Sequence, residues 1–205
     1  FSREAWLALI IGLVFFWIIV LIKKQAAIFY KLLATGLAAI IILSIIFWPL
    51  LSTRLLGQDR LEVKSRQERT TYLNQSFQLI KKHWLTGIGV GNYTLAIHNQ
   101  IDPSLQSWDY QPVHNVYLLI LAELGIIGLG IFLWLIFWII KKLFSSQIRQ
   151  YRPRTLIYPA AILAILIIAF FGHYFWTLHF GIMLFWLILG LSTYTNSEQT
   201  VDNPS

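Results

Sequence analysis

His114 and Asn115 stand side by side, nine residues ahead of the pair Gly125-x-x-Gly128. Imidazole has an ordinary pKa of about 6.5, so a wet histidine at neutral pH can take a proton from a hydroxyl and act as a general base. Asparagine is a strong helix N-cap, so Asn115 predicts a helix start whose first-turn amides face the same side as His114. Ala122, Gly125 and Gly128 recur every three residues, which predicts a smooth strip for close approach by another helix. On position alone, His114 serves equally well as an interfacial residue that binds water or lipid headgroups.

The arginines offer a second chemistry. Leu73, Phe77, Ile80 and Trp84 follow a 3.6-residue period and predict an amphipathic helix over 60–84, with Arg66 and Arg69 continuing its inward face. A guanidinium carries permanent charge and grips phosphate with two parallel hydrogen bonds. The plain alternatives are an i, i+4 pair of Arg66 with Glu62, and a solvated face for Arg69. Arg3 borders an apolar run, where a charge is either functional or snorkels to the interface. Glu123 lies about 13 Å of helix rise beyond His114, too far to orient that ring, and predicts an Arg or polar partner in a neighbouring span. His173 and Tyr174 occupy a short break in a long apolar block, as pocket lining or as an interfacial anchor.

Other chemistries find no support. The chain has no cysteine, its histidines lack ligand spacing, and Asp59, Glu62, Glu68, Asp102 and Asp109 form no carboxylate pair. No metal site is expected. The Gly87–Gly91 run is followed by no Lys-Ser/Thr and preceded by no strand, so it is no nucleotide cradle.

The elements that must position these residues are apolar helices. Hydrophobic residues make up 57% of the chain and charged residues 12%, about half the share usual in soluble domains. Runs at 5–22, 32–51 and 116–140 are each long enough to cross about 30 Å of hydrocarbon, and the block after 155 suits two spans, 155–171 and 177–192. The expected fold class is an all-α integral membrane protein: a membrane domain over 1–192 with about five transmembrane helices. A large, partly helical outer loop, 52–115, separates the second and third. Gly87 is a plausible C-cap, the stretch 86–92 reads as a flexible turn, and the tail 193–205 as disordered. Lys23, Lys24 and Lys31 follow the first span, and Lys141, Lys142, Arg149, Arg152 and Arg154 follow the third. The positive-inside rule makes that side cytoplasmic, and His114, His173 and the basic outer loop then face outward. The chain starts at Phe1, which reads as part of a longer membrane protein.

The spacing His114-Asn115, nine residues, Gly125-x-x-Gly128 resembles the signature of the O-antigen ligase and polymerase family of bacterial envelope glycosyltransferases. Arg69-x-x-x-Leu73 is similar to that family's Arg-x-x-x-Leu element, Ser2-Arg3-Glu4-Ala5-Trp6 to its Ser-Arg-x-Ala-Trp, and 83–93 to the segment that follows the arginine element. The resemblance covers most of 1–192, and a full member has roughly twice as many spans. It implies a metal-independent, inverting transfer, without cofactor, from an undecaprenyl-pyrophosphate-linked glycan to a glycan, lipid or protein acceptor. The expected setting is the bacterial inner membrane, multi-pass, with the site facing outward and no role for nucleic acid. His114 is then the catalytic residue, and Arg69, Arg66 and Arg3 hold the pyrophosphate. Asn115, Gly125, Gly128, Glu123, His173 and Tyr174 are supporting residues. A polymerase or a protein O-oligosaccharyltransferase would use the same machinery. From other classes, a polysaccharide or lipid transporter would also use outer amphipathic helices and membrane arginines, and a non-catalytic scaffold would leave His114 without a task.

Overall fold

The computed structural model describes residues 3–22, 26–49, 52, 60–147 and 157–201. Lys23, Lys24, Arg54, Arg149, Arg152 and Arg154 lie outside the described residues, as does the side chain of Arg3. Among the described residues all regular structure is helical. The elements are α1 (Arg3–Ile22), α2 (Ala26–Ile46), α3 (Arg60–His83), α4 (Tyr93–Gln100), α5 (Val116–Gln147), α6 (Ile157–Phe171), the single turn α7 (Tyr174–Thr177) and α8 (His179–Val201).

Val116–Leu143 within α5 is the described helix long and apolar enough to cross a membrane. Shorter apolar stretches run over Leu9–Ile18, Leu33–Ile46, Tyr158–Phe171 and His179–Thr193. Helix α2 starts and stops earlier than its apolar run predicts, and α8 continues to Val201, into the tail expected to be disordered. A formed helix adds residues at little cost once nucleated, and here the apolar half supplies the nucleus.

Two cores organise the chain. Val116, Ile120, Phe132, Ile136, Ile165 and Phe185 pack α5 against α6 and α8. Leu79, Tyr93, Ile97, Val113 and Leu119 pack α3 and α4 against the first turns of α5. Val113 belongs to one core and Val116 to the other, so the backbone between them, which carries His114, is pinned on both sides.

The buried face of α3 differs from the expected stripe. Tyr72, Gln75, Ser76 and Leu79 are buried, Leu73 and Ile80 are half-buried, and Phe77 and Trp84 are 49% and 58% exposed. In a membrane setting apolar side chains need not turn inward, because lipid is as apolar as a core. What turns inward instead is a polar seam. The Ser76 hydroxyl donates to the Leu73 carbonyl at 2.8 Å, and the Tyr93 hydroxyl reaches the Tyr72 carbonyl at 3.5 Å.

Helix α5 is broken at Gly125, whose φ of 67° and ψ of −172° are a glycine conformation. The Ile126 amide, which an unbroken helix would bond to Ala122, donates to the Trp84 carbonyl at 2.9 Å. The Ala122 and Glu123 carbonyls in turn accept from Ile88 and Gly89 amides at 3.1 and 2.8 Å. The segment after α3 therefore takes up the polar groups that the break releases, as an apolar surrounding requires. Contact is backbone to backbone. A Cβ on Gly125 would meet the Leu85 carbonyl oxygen at 2.2 Å, and one on Gly87 the Glu123 carbonyl carbon at 2.3 Å. The expected helix–helix strip at Ala122, Gly125 and Gly128 is thus corrected to a docking seat for a loop. The stretch read as a flexible turn is the loop that fills it. A Cβ on Gly128 would crowd Leu124 of the same broken helix, at 2.2 Å.

Candidate functional site

Asn115 caps α5 as its residue type predicts, accepting the Leu118 amide at 2.9 Å. The same side chain donates to the Phe170 carbonyl at 3.1 Å, and the Tyr117 hydroxyl donates to the Leu166 carbonyl at 2.9 Å. These two bonds tie the start of α5 to the end of α6. The turn after α6 is thereby carried to His114.

The rings of His114 and His173 lie 5.0 Å apart, centroid to centroid, at 85°. On another side the Tyr72 ring stacks on His114 at 6.0 Å and 9°. Residues from α3, the start of α5 and the turn before α7 thus converge on one imidazole, whose Nδ1 is buried. Tyr174 leans on His173 at 5.2 Å and is exposed.

Thr177 holds His173 in place. Its hydroxyl donates to the His173 carbonyl at 3.1 Å and lies 2.6 Å from His173 Nδ1. The two contacts tie the His173 ring to its own helical turn through one hydroxyl. Burial first, and then the neighbouring His114, lower the His173 pKa to about 4. His173 is therefore neutral at physiological pH. The Tyr72 phenol is pushed up from its ordinary value, first by burial and then by the negative charges of Glu68 and Asp109.

Arg66 and Arg69 on α3 part company. Arg69 is half-buried and precedes Tyr72 by three residues and Ser76 by seven, on the face that turns inward. Arg66 is exposed and aligns with Leu73 and Ile80 on the flank, so its expected place on the inward face is corrected. Glu68 lies 3.7 Å from Lys64 in an exposed i, i+4 pair, which is worth little to stability.

Glu123 is 3% exposed and accepts the Trp176 indole N–H at 2.7 Å. The partner is an indole N–H in the α7 turn, two residues after Tyr174, and not a group in a neighbouring span as expected. An unpartnered buried acid would cost about 1–3 kcal/mol, so this bond holds α7 against α5. Beside Trp176 lies an apolar cavity of about 270 Å³, lined by Val90, Val116, Phe132, Leu166 and Phe185 among others.

Tyr72 and Thr177 escaped sequence reasoning. Tyr72 sits inside the Arg69–Leu73 element, and its place one turn after Arg69 was a usable signal. Thr177, four residues after His173 across a helical turn, was legible only once that turn was known.

A family model described as O-antigen ligase matches residues 1–133. No curated protein and no solved structure matches the chain.

Proposed function

The chain belongs to the O-antigen ligase family, whose members are membrane glycan-transferring ligases and polymerases, and from that premise we propose a specific reaction. A glycan leaves an undecaprenyl-pyrophosphate carrier and joins an acceptor hydroxyl on the outer face of the bacterial inner membrane. Residues 52–113 face outward, 141–154 face the cytoplasm, and the apolar helices form about five spans.

In this reading His114 takes the acceptor proton. Its Nδ1 is buried, so Nε2 is the nitrogen that receives it. The acceptor oxygen bonds to the anomeric carbon while the carbon–oxygen bond to the pyrophosphate breaks, its electron pair leaving with the phosphate. A single displacement inverts the anomeric centre. Arg69, with Arg66 and Arg3, binds the pyrophosphate as its charge develops; fixed cations act strongly there because they need no reorganisation. The apolar cavity beside Val116 and Trp176 suits the hydrocarbon next to a lipid headgroup.

One observation carries the proposal: an imidazole is clasped by Tyr72 and His173, with Arg69 a single helix turn from Tyr72. That arrangement supports reading His114 as the proton acceptor and Arg69, on the helix that carries Tyr72, as the phosphate-binding side chain, at the end of a membrane-length helix. The test is a reconstituted protein given lipid-linked glycan and a hydroxyl acceptor. One new glycosidic bond should form for each carrier pyrophosphate released. Movement of intact donor across the bilayer without bond formation would instead make the protein a transporter.

A further inference from the structure

We propose that Tyr72 and His173 form an aromatic clamp that fixes the plane of the His114 ring, with Thr177 holding the His173 half. They are positioning residues. Only the kinetic arm of the test rests on His114 being the base.

A histidine side chain turns about two bonds, and a base displaced by an ångström loses much of its rate. Around His114 the constraint is supplied by rings. Tyr72 lies nearly parallel at 6.0 Å and His173 nearly perpendicular at 5.0 Å. Both separations fall within about 4.5–7 Å, where stacked and edge-to-face pairs attract. Two perpendicular neighbours block both rotations, which a single stacked ring would not.

Each half is anchored independently of His114. Tyr72 sits in α3, whose Leu79 and Ser76 are buried against α4 and α5, and its carbonyl accepts from Tyr93. His173 is tied by Thr177 at 2.6 Å, and its turn is tied by Trp176 to Glu123. A clamp around a base must also stay uncharged when the base becomes a cation. Tyr72 does so as a phenol, and burial keeps His173 neutral. A second cation 5.0 Å from His114 would oppose its protonation.

The test uses histidine-selective 15N labelling of the full chain in lipid nanodiscs, with H114Q to assign the His114 ring signals. The ring-keeping variant Tyr72→Phe and the hydroxyl-keeping variant Thr177→Ser should retain a single sharp His114 signal and nearly unchanged kcat. Ring-removing variants (Tyr72→Leu, His173→Leu) and Thr177→Val should split or broaden it. In the transfer assay these same variants should lower kcat about tenfold while the donor KM holds. An unchanged His114 signal in Tyr72→Leu and His173→Leu would overturn the clamp. So would a raised KM at constant kcat, which would place the rings in donor binding. If H114Q keeps full transfer, the base reading fails, and the 15N spectra alone decide the clamp.

Discussion

The proposed general-base role asks His114 for a fixed ring, and asks the groups packed around it to stay uncharged. His173 shows how burial meets the second condition for a neighbouring ring. Its pKa falls from 6.5 in the unfolded chain to about 4 in the fold, so on acidification the unfolded state takes the proton first. The contribution of His173 to stability is therefore complete above about pH 6.5 and disappears as pH falls towards 4. Thermal melting in detergent should show the wild type losing stability more steeply over that window than His173→Gln. Equal slopes would contradict the buried, neutral assignment. Arg69 makes the complementary prediction. Arg69→Lys keeps the charge and loses the planar fork, so transfer should drop roughly ten- to a hundredfold while the melting point holds. Unchanged transfer in both Arg69→Lys and Arg69→Ala would move the phosphate role elsewhere. At this scale the sequence was informative where one residue type does one job: Asn115 caps, and His114 sits at a helix start. For Tyr72 it held only one signal, the place one turn after Arg69, and an aromatic ring in an amphipathic helix has too many ordinary uses for that to stand out.

The decisive element is the break in α5. Asn115 and the apolar run after it announced a helix, and the glycines announced close approach. What approaches is the Trp84–Gly89 loop, through three backbone hydrogen bonds that stand in for those lost at Gly125. Spacing every three residues is common to a helix–helix strip and to a loop seat, so only the conformation of Gly125 separates them. Gly125→Ala should destabilise the protein by at least about 1–3 kcal/mol from backbone strain alone, with the Leu85 contact adding to it. Gly130→Ala is the control: it lies on the same helix with nothing within 4 Å of an added Cβ, and should be neutral or slightly stabilising. Equal melting points for the two variants would contradict the seat. The face of α3 was misjudged for a related reason. Hydrophobic periodicity marks the side that leaves water, and beside a bilayer that side can face lipid. Phe77 and Trp84 thus stay exposed while Gln75 and Ser76 turn inward.

At the scale of the whole molecule, composition made the helical class plain, and α5 supplies a helix of membrane length. The joining of positions 72, 114 and 173 was not legible, since it depends on how α3 and α6 dock on α5 rather than on any local pattern. The proposed orientation rests on the short basic loops, and the complete lack of cysteine allows it to be tested cleanly. A cysteine placed at Ser104 should react with an impermeant maleimide in intact spheroplasts, and one at Ser145 should not. The reverse pattern would put the imidazole on the wrong side for a carrier-linked donor presented outside. The most direct test of the central claim is transfer by reconstituted protein with lipid-linked glycan, acceptor and EDTA, comparing wild type with His114→Ala and His114→Gln. A positioned base typically contributes about 10²–10⁴-fold. Wild type should be active under chelation. His114→Ala should bind donor normally and lose transfer by that factor, and His114→Gln, which can orient a hydroxyl but cannot take its proton, should be comparably impaired. Full transfer by His114→Ala, or a wild type silenced by EDTA and restored by magnesium, would contradict a metal-free reaction driven by this histidine.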